Sequence, residues 1–211
     1  MILFLIGLIG FLGVHLIRVI APGFRNSMIA KLGNEGPWKG IYSLVAIFFF
    51  VLIVMGYRDA QAATIIFAEP PTPLKHLNSL FTPIALVLFF AGSLPRGYMQ
   101  KFLKHPQLVG VKLWALGHLL ANWDLTSFIL FGSFLIWAVL VRISAKKRVT
   151  PEPKPPSALW DGVSILLGGA VTAWMIMGGH GFQWWRTVEG IRTRCDLFHR
   201  RVLERALRGR H

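Results

Sequence analysis

Two histidines in apolar surroundings are the residues of this sequence best suited to chemistry. His15 lies inside the first apolar run, and His118 lies inside a later one. On a helix with 3.6 residues per turn, His118 shares one face with Gln107, Trp114 and Asn122. Polar side chains are costly at membrane depth, so this face is predicted to meet a cavity, a cofactor or other polar groups.

An imidazole in a membrane can be a metal ligand or a packed polar group, and both interpretations stay open here. A neutral imidazole binds iron, copper or zinc, and two from facing helices can hold a haem on both sides. Alternatively, His118 is a buried ring that hydrogen-bonds a neighbouring helix, with Trp114 and Asn122 as polar packing. The packing interpretation applies more strongly to His15, because Arg18 lies one turn away and both can belong to a membrane interface.

Sequence motifs for other metal chemistry are absent. The sequence contains no HxxH, HExxH or CxxC spacing, which argues against a zinc enzyme, and no CxxCH for covalent haem. His105 precedes Pro106 and is most simply the start of a helix. The single cysteine, Cys195, excludes an internal disulfide.

The composition predicts a membrane protein. Of the 211 residues, 54% are hydrophobic, and the mean hydropathy is +0.55. The formal net charge is +14. The long apolar runs argue against nucleic-acid binding, so these basic residues are expected to lie beside membrane spans and contact anionic lipid.

The apolar runs predict an all-α polytopic helix bundle with five to six transmembrane spans. A domain at 1–145 contains five of them, at about 2–20, 37–57, 77–94, 106–123 and 125–141. The basic, proline-rich segment at 142–162 is predicted to be a cytoplasmic linker. A sixth span is predicted at 163–180, and an atypical arginine-rich tail occupies 181–211.

The distribution of lysine and arginine places the N-terminus outside, because most cations of the short loops then lie inside. In this topology the spans that carry the two histidines are antiparallel. At 1.5 Å per residue, His15 is expected about 20 Å and His118 about 8 Å from the outer ends. Each side chain leans toward its own N-terminus, which narrows this gap, so the pairing of the two histidines is retained as a prediction.

The stretch HPQLVGVKLWALGHLLAN, followed by DLTSFILFG, resembles the signature of the NnrU family of integral membrane proteins. His15, Arg25 and the segment LGNEGPWKGIYSL match it as well. The resemblance covers roughly residues 1–145, whereas Trp123 stands where the family is expected to have glycine. It implies a multi-pass protein of the bacterial inner membrane that is associated with the nitrite and nitric oxide reductase system. In that membrane, the outside N-terminus expected from the lysine and arginine distribution is periplasmic.

That family is similar to 15-cis-zeta-carotene isomerase, a membrane enzyme with haem b. The resemblance implies haem b here, with His15 and His118 as the iron ligands. His105 also matches a family histidine, with a less defined role. The expected cofactor-binding residues also include three others: Trp114, Asn122 and Arg25. Arg18, Arg25 and Lys112 are the alternative partners for haem propionates at a membrane face.

Three function classes follow from these observations. The first is a haem b protein that supports nitrite and nitric oxide metabolism as a sensor, redox partner or assembly factor. The second is a haem-dependent isomerase of a polyene or another lipid-soluble substrate. The third is a transporter or structural subunit without a cofactor, although the sequence shows no internal repeat of the kind that transporters contain.

Overall fold

The computed structural model describes residues 1–147 and 155–179, and these residues form an all-helical structure, as predicted. The helices are α1 (Ile2–Ile20), α2 (Pro22–Lys31), α3 (Glu35–Ala62), α4 (Thr72–Ser93), α5 (Tyr98–Leu103), α6 (Pro106–Ala121), α7 (Leu125–Lys146) and α8 (Ala158–Trp174). A π-helical turn at Met175–Gly179 follows α8. The arginine-rich tail predicted at 181–211 and the middle of the predicted linker lie outside the described residues.

Five helices are long and apolar enough to cross a membrane: α1, α3, α4, α7 and the stretch Ala158–Met177. The chain is therefore a multi-pass membrane protein. The chain divides into two compact units, Met1–Gly168 and Gly169–His211. In the second unit, the described residues are the last turns of α8 and the π-helical turn.

The span predicted at 106–123 is a shorter helix than expected. α6 has 16 residues, or about 24 Å at 1.5 Å per residue, against a hydrocarbon core of about 30 Å. It ends at Ala121 because Asn122 takes an extended conformation, with φ −136° and ψ 106°. α6 is therefore not among the five helices that are long enough to span.

Glycines allow two helix pairs to approach until their backbones touch. A Cβ atom at Gly7 of α1 would lie 2.6 Å from the amide nitrogen of Ile53 in α3. A Cβ atom at Gly110 of α6 would lie 2.6 Å from the carbonyl oxygen of Ala85 in α4. α7 packs against both α1 and α6, whereas no Cα atom of α1 lies within 8 Å of one in α6. The helices that carry the two histidines are thus joined through α7.

Several predicted boundaries were wrong, because local capping extends or adds helices. The segment after the first predicted span contains α2. Pro22 begins this helix at a position where the backbone N–H has no partner within the helix, so the missing N–H of proline costs no hydrogen bond. The side chain of Asn34 accepts a hydrogen bond from the amide of Gly36 at 2.8 Å, so α3 begins before the predicted residue 37. α3 and α4 both extend into the loop predicted at 58–76.

The start of the sixth span was also predicted too late, and the linker was predicted too long. α8 begins at Ala158 rather than at 163. The carboxylate of Asp161 accepts hydrogen bonds from the amides of Tyr98 at 2.7 Å and Met99 at 3.1 Å, at the start of α5. Gly97 leaves room for this carboxylate. Residues 157–162 therefore belong to the folded first unit.

A buried polar cluster fixes the turn between α6 and α7. The carboxylate of Asp124 is 6% exposed. It accepts hydrogen bonds from the Ser127 amide at 2.9 Å and the Thr64 hydroxyl at 3.2 Å. The Thr64 hydroxyl oxygen in turn accepts from the Thr126 amide at 3.0 Å. This cluster ties the ends of α6 and α7 to the chain after α3.

Candidate functional site

His118 lies in the last turn of α6, and a backbone hydrogen bond fixes its ring. Nδ1 donates to the carbonyl oxygen of Trp114 at 2.9 Å. Because a carbonyl only accepts, the hydrogen of the neutral ring is on Nδ1 and the lone pair is on Nε2. The imidazole stacks on Phe131 of α7, with ring centroids 4.5 Å apart and planes at 26°.

His15 of α1 has the same local geometry. Its Nδ1 donates to the carbonyl oxygen of Phe11 at 2.7 Å, and the ring lies 4.2 Å from that of Phe11. Tyr42 and Trp137 approach it edge-on, with centroids at 5.4 and 5.8 Å. Metal-binding histidines commonly donate one ring N–H to a backbone carbonyl, which fixes the tautomer and the direction of the other nitrogen.

Aromatic side chains join the two histidines into one cluster, which we call the aromatic cluster. The rings of Phe11 and Phe134 lie 5.7 Å apart, and those of Phe134 and Trp114 lie 5.5 Å apart. Trp114 then lies 5.4 Å from His118. The cluster therefore runs from α1 through α7 to α6, and Trp114 lies in it between Phe134 and His118.

The two imidazoles lie at different levels of the bundle. His118 contacts Phe131 and His15 contacts Trp137, and both partners belong to α7. Six residues separate these partners, which corresponds to about 9 Å along the helix. The structure thus places both rings in one cluster but not directly opposite each other.

The other predicted site residues lie outside the aromatic cluster. The side-chain amide of Asn122 donates to the carbonyl oxygen of His118 at 2.9 Å, so it closes the end of α6. His105 precedes α6 at its other end, about 20 Å from His118 at the helical rise. Gln107, expected on the same polar face, turns toward α4 and donates to the Ser93 hydroxyl at 3.4 Å.

The contribution of α7 to the site was not predicted from the sequence. Phe131, Phe134 and Trp137 recur every three residues, so they share one side of this helix and form the wall of the aromatic cluster. The indole Nε1 of Trp137 is buried and has no hydrogen-bond partner among the described residues. Because buried polar groups are normally paired, this N–H is a donor available to a bound group beside His15.

A recess of about 250 Å³, which we call the cationic pocket, adjoins His15 where α1 ends and α3 begins. Its polar lining is formed by His15, Arg18, Arg25, Lys39 and Tyr42, and its apolar lining by Val14, Ile17 and Trp38. Arg25 is ion-paired with Glu35 at 3.0 Å. The structure thus places Arg25 close to His15 but not within the aromatic cluster.

No group of three or more histidine, cysteine, aspartate or glutamate side chains suited to a metal ion occurs in the described part of the chain. The candidate site therefore consists of the two histidines, the aromatic cluster and the adjoining cationic pocket.

Comparison with known proteins gives one result. No curated protein and no solved structure matched the chain. The NnrU protein family matches residues 3–188, a range that includes the linker and α8 and extends beyond the segment of clear motif resemblance. Because this range covers most of the sequence, the chain belongs to the NnrU family of membrane proteins.

Proposed function

We propose that this protein binds haem b with His15 and His118 as axial ligands and supports nitrite and nitric oxide metabolism in a bacterial inner membrane. The observation that carries the proposal is the shared geometry of the two imidazoles. Each donates Nδ1–H to the carbonyl four residues earlier in its helix and keeps its lone pair on Nε2. The same aromatic cluster contains both rings.

The donor chemistry of these residues fits haem b. Two neutral imidazoles supply axial nitrogens, and the aromatic side chains supply the apolar contacts that a porphyrin needs. The indole N–H of Trp137, which has no partner among the described residues, offers a hydrogen bond to an oxygen of the bound group. The assignment of a propionate to Arg25 stays a prediction, because its guanidinium is ion-paired with Glu35.

Because the two histidines lie at different levels, binding of one haem by both requires the helices to move. For both rings to hold one iron, the offset of about 9 Å along α7 must close and the aromatic rings between them must repack. α1 has no backbone contact with α6 but is in backbone contact with α3, so closing the offset would require α1 and α3 to move together relative to α6. Loss of either histidine would then leave the other as the sole axial ligand.

In this proposal the residues of the chain bind and orient the group and keep water away. Haem iron supplies the centre to which nitric oxide binds. The backbone carbonyls of Phe11 and Trp114 hold the two imidazoles in the ligating tautomer. The apolar aromatic lining excludes water, and a change of one axial ligand would give the protein two states that a partner could distinguish.

The test is the visible spectrum of the detergent-purified chain after haem supplementation, oxidised and reduced. We expect a low-spin b-type spectrum in the wild type that is lost or becomes high-spin in His15→Ala and in His118→Ala. His76→Ala is the matched control, because His76 is an exposed histidine of α4 away from the aromatic cluster. A wild type that stays colourless would remove the haem assignment.

The physiological part of the proposal needs a separate test. A bacterial strain that lacks this protein should lose growth or nitric oxide consumption with nitrite under anaerobic conditions. Wild-type protein should restore the phenotype, and the His118→Ala variant should not. Equal restoration by both proteins would show that the histidine is not required for this role.

A further inference from the structure

We propose that the cationic pocket binds the phosphate of an anionic phospholipid headgroup. This inference does not depend on haem, because it concerns the recess at the end of α1 rather than the aromatic cluster. It is carried by the charge of the pocket, by its position on the helices and by the mixture of basic and apolar side chains that line it.

The charges in and around the pocket do not balance. Arg18, Arg25 and Lys39 line it, and Glu35 is the carboxylate beside them, bonded to Arg25 at 3.0 Å and to Lys39 at 2.9 Å. Arg18 forms no ion pair with any residue that the structure describes. The group therefore has an excess of positive charge, and a recess with such an excess attracts an anion.

The types of the cations favour phosphate. A guanidinium presents a planar set of donors that matches the oxygens of a phosphate, and a lysine ammonium adds a compact charge. Tyr42 also lines the pocket, and a tyrosine hydroxyl is a neutral donor. The volume of about 250 Å³ is below the roughly 300–1,000 Å³ of pockets that enclose whole organic ligands, so it suits a headgroup.

The position of the pocket indicates that the phosphate belongs to a lipid. Arg18 lies in the last turn of α1, and Lys39 lies near the start of α3, so the cations are at one end of two membrane-length helices. Headgroups lie at this level of a membrane. Beside the pocket, Ile20 is 74% and Phe24 is 54% exposed, which gives acyl chains an apolar surface to contact. Basic pockets between membrane helices commonly bind phospholipid headgroups.

A haem propionate is the competing occupant, because His15 also lines the pocket. The two occupants differ in what they require. A lipid phosphate binds to haem-free protein and depends on the lipid class, whereas a propionate enters only with haem. The experiment therefore measures lipid binding without haem and haem binding separately.

The test uses the full chain, purified and delipidated in a zwitterionic detergent. Binding of phosphatidylglycerol, phosphatidylcholine and inorganic phosphate is measured by native mass spectrometry and by the shift in melting temperature. The test variant is Arg18→Gln/Lys39→Gln. The control is Lys31→Gln/Lys101→Gln, which removes the same charge from two exposed lysines outside the pocket lining.

We expect phosphatidylglycerol to bind to the wild type and to the control, and to bind at least tenfold more weakly to the pocket variant. Phosphatidylcholine should bind weakly to all three proteins. If the pocket double variant does not fold, Arg18→Gln alone replaces it, because Arg18 forms no ion pair in the described structure that its loss would break. The expected weakening is then roughly tenfold for the one cation removed.

Three outcomes would overturn the proposal. Equal lipid binding by pocket variant and control would show that the pocket cations do not select the headgroup. Inorganic phosphate that stabilises the protein as strongly as phosphatidylglycerol would assign the pocket to a free anion. A pocket variant with unchanged lipid binding that no longer retains haem would assign these cations to the propionates. Failure of the haem proposal alone would leave the lipid result unchanged.

Discussion

Replacement of Asp124 should destabilise the protein more than replacement of any exposed acidic residue. The carboxylate of Asp124 is buried and caps the start of α7 through the Ser127 amide, at 2.9 Å. It also accepts a hydrogen bond from the Thr64 hydroxyl, at 3.2 Å. Both donors bond the same oxygen, Oδ1, so the change Asp124→Ala removes the acceptor of both hydrogen bonds at once, at the turn between α6 and α7.

The magnitude follows from these two contacts. Loss of an N-cap costs about 0.5–2 kcal/mol. Loss of a hydrogen bond to a charged acceptor costs roughly 1.5–3 kcal/mol. Because the Thr64 hydroxyl can rotate toward another acceptor, we expect a total of about 2–4 kcal/mol. The variant Asp124→Asn keeps an acceptor oxygen for both donors and loses only the charge at the helix start, which is about 0.3–1 kcal/mol.

The assay is unfolding of the detergent-purified variants, followed by circular dichroism. The matched control is Asp59→Ala, because Asp59 is an exposed aspartate near the end of α3. The expected order of stability is wild type, Asp59→Ala, Asp124→Asn and then Asp124→Ala. Stability of Asp124→Ala within about 0.5 kcal/mol of Asp59→Ala would refute the argument that this cluster holds the turn.

Three further predictions follow from the packing. Gly110→Ala places a methyl group against a backbone oxygen of α4 and should destabilise the protein by about 1–3 kcal/mol in the same unfolding assay. The control Gly13→Ala has nothing within 4 Å of the added atom and should be neutral or stabilising. Equal effects of the two changes would refute the close contact between α4 and α6. Trp137→Phe should weaken haem affinity about tenfold while moving the melting temperature of haem-free protein little, and an unchanged affinity would show that the indole N–H has no bound partner. Asp161→Ala should raise hydrogen exchange at the amide of Tyr98 at least tenfold, and unchanged exchange would exclude the cap on α5.

The bundle could be predicted from the sequence because long apolar runs are unambiguous. α1 was predicted with its observed bounds, since a proline and a glycine follow its apolar run directly. The short helices α2 and α5 lie between predicted spans and were not predicted as helices, because they are too short to give a clear apolar pattern. The start of α8 was missed because Asp161 bonds amides more than 60 residues away in the chain.

The candidate site could be predicted only in part. His15 and His118 were predicted to pair across facing helices, with side-chain direction narrowing the difference in their depths, whereas the structure places both rings in the aromatic cluster at different levels of α7. The wall between them was missed, because aromatic residues at positions such as Phe134 resemble ordinary membrane-facing residues in a single sequence. The polar face predicted for α6 divides between two neighbours, since Gln107 turns to α4 and His118 to α7. Which neighbour each side chain meets depends on how the helices cross, and the periodicity of one helix does not contain that information.

The central claim, ligation of one haem b by two histidines, is tested most directly by electron paramagnetic resonance of the haem-supplemented chain. The measurement compares the wild type with His15→Ala, His118→Ala and the His76→Ala control. We predict one haem per chain, a low-spin ferric signal in wild type and control, and a high-spin signal or loss of haem in each of the other two variants. A chain that takes up no haem, or a haem signal that neither substitution changes, would contradict the account.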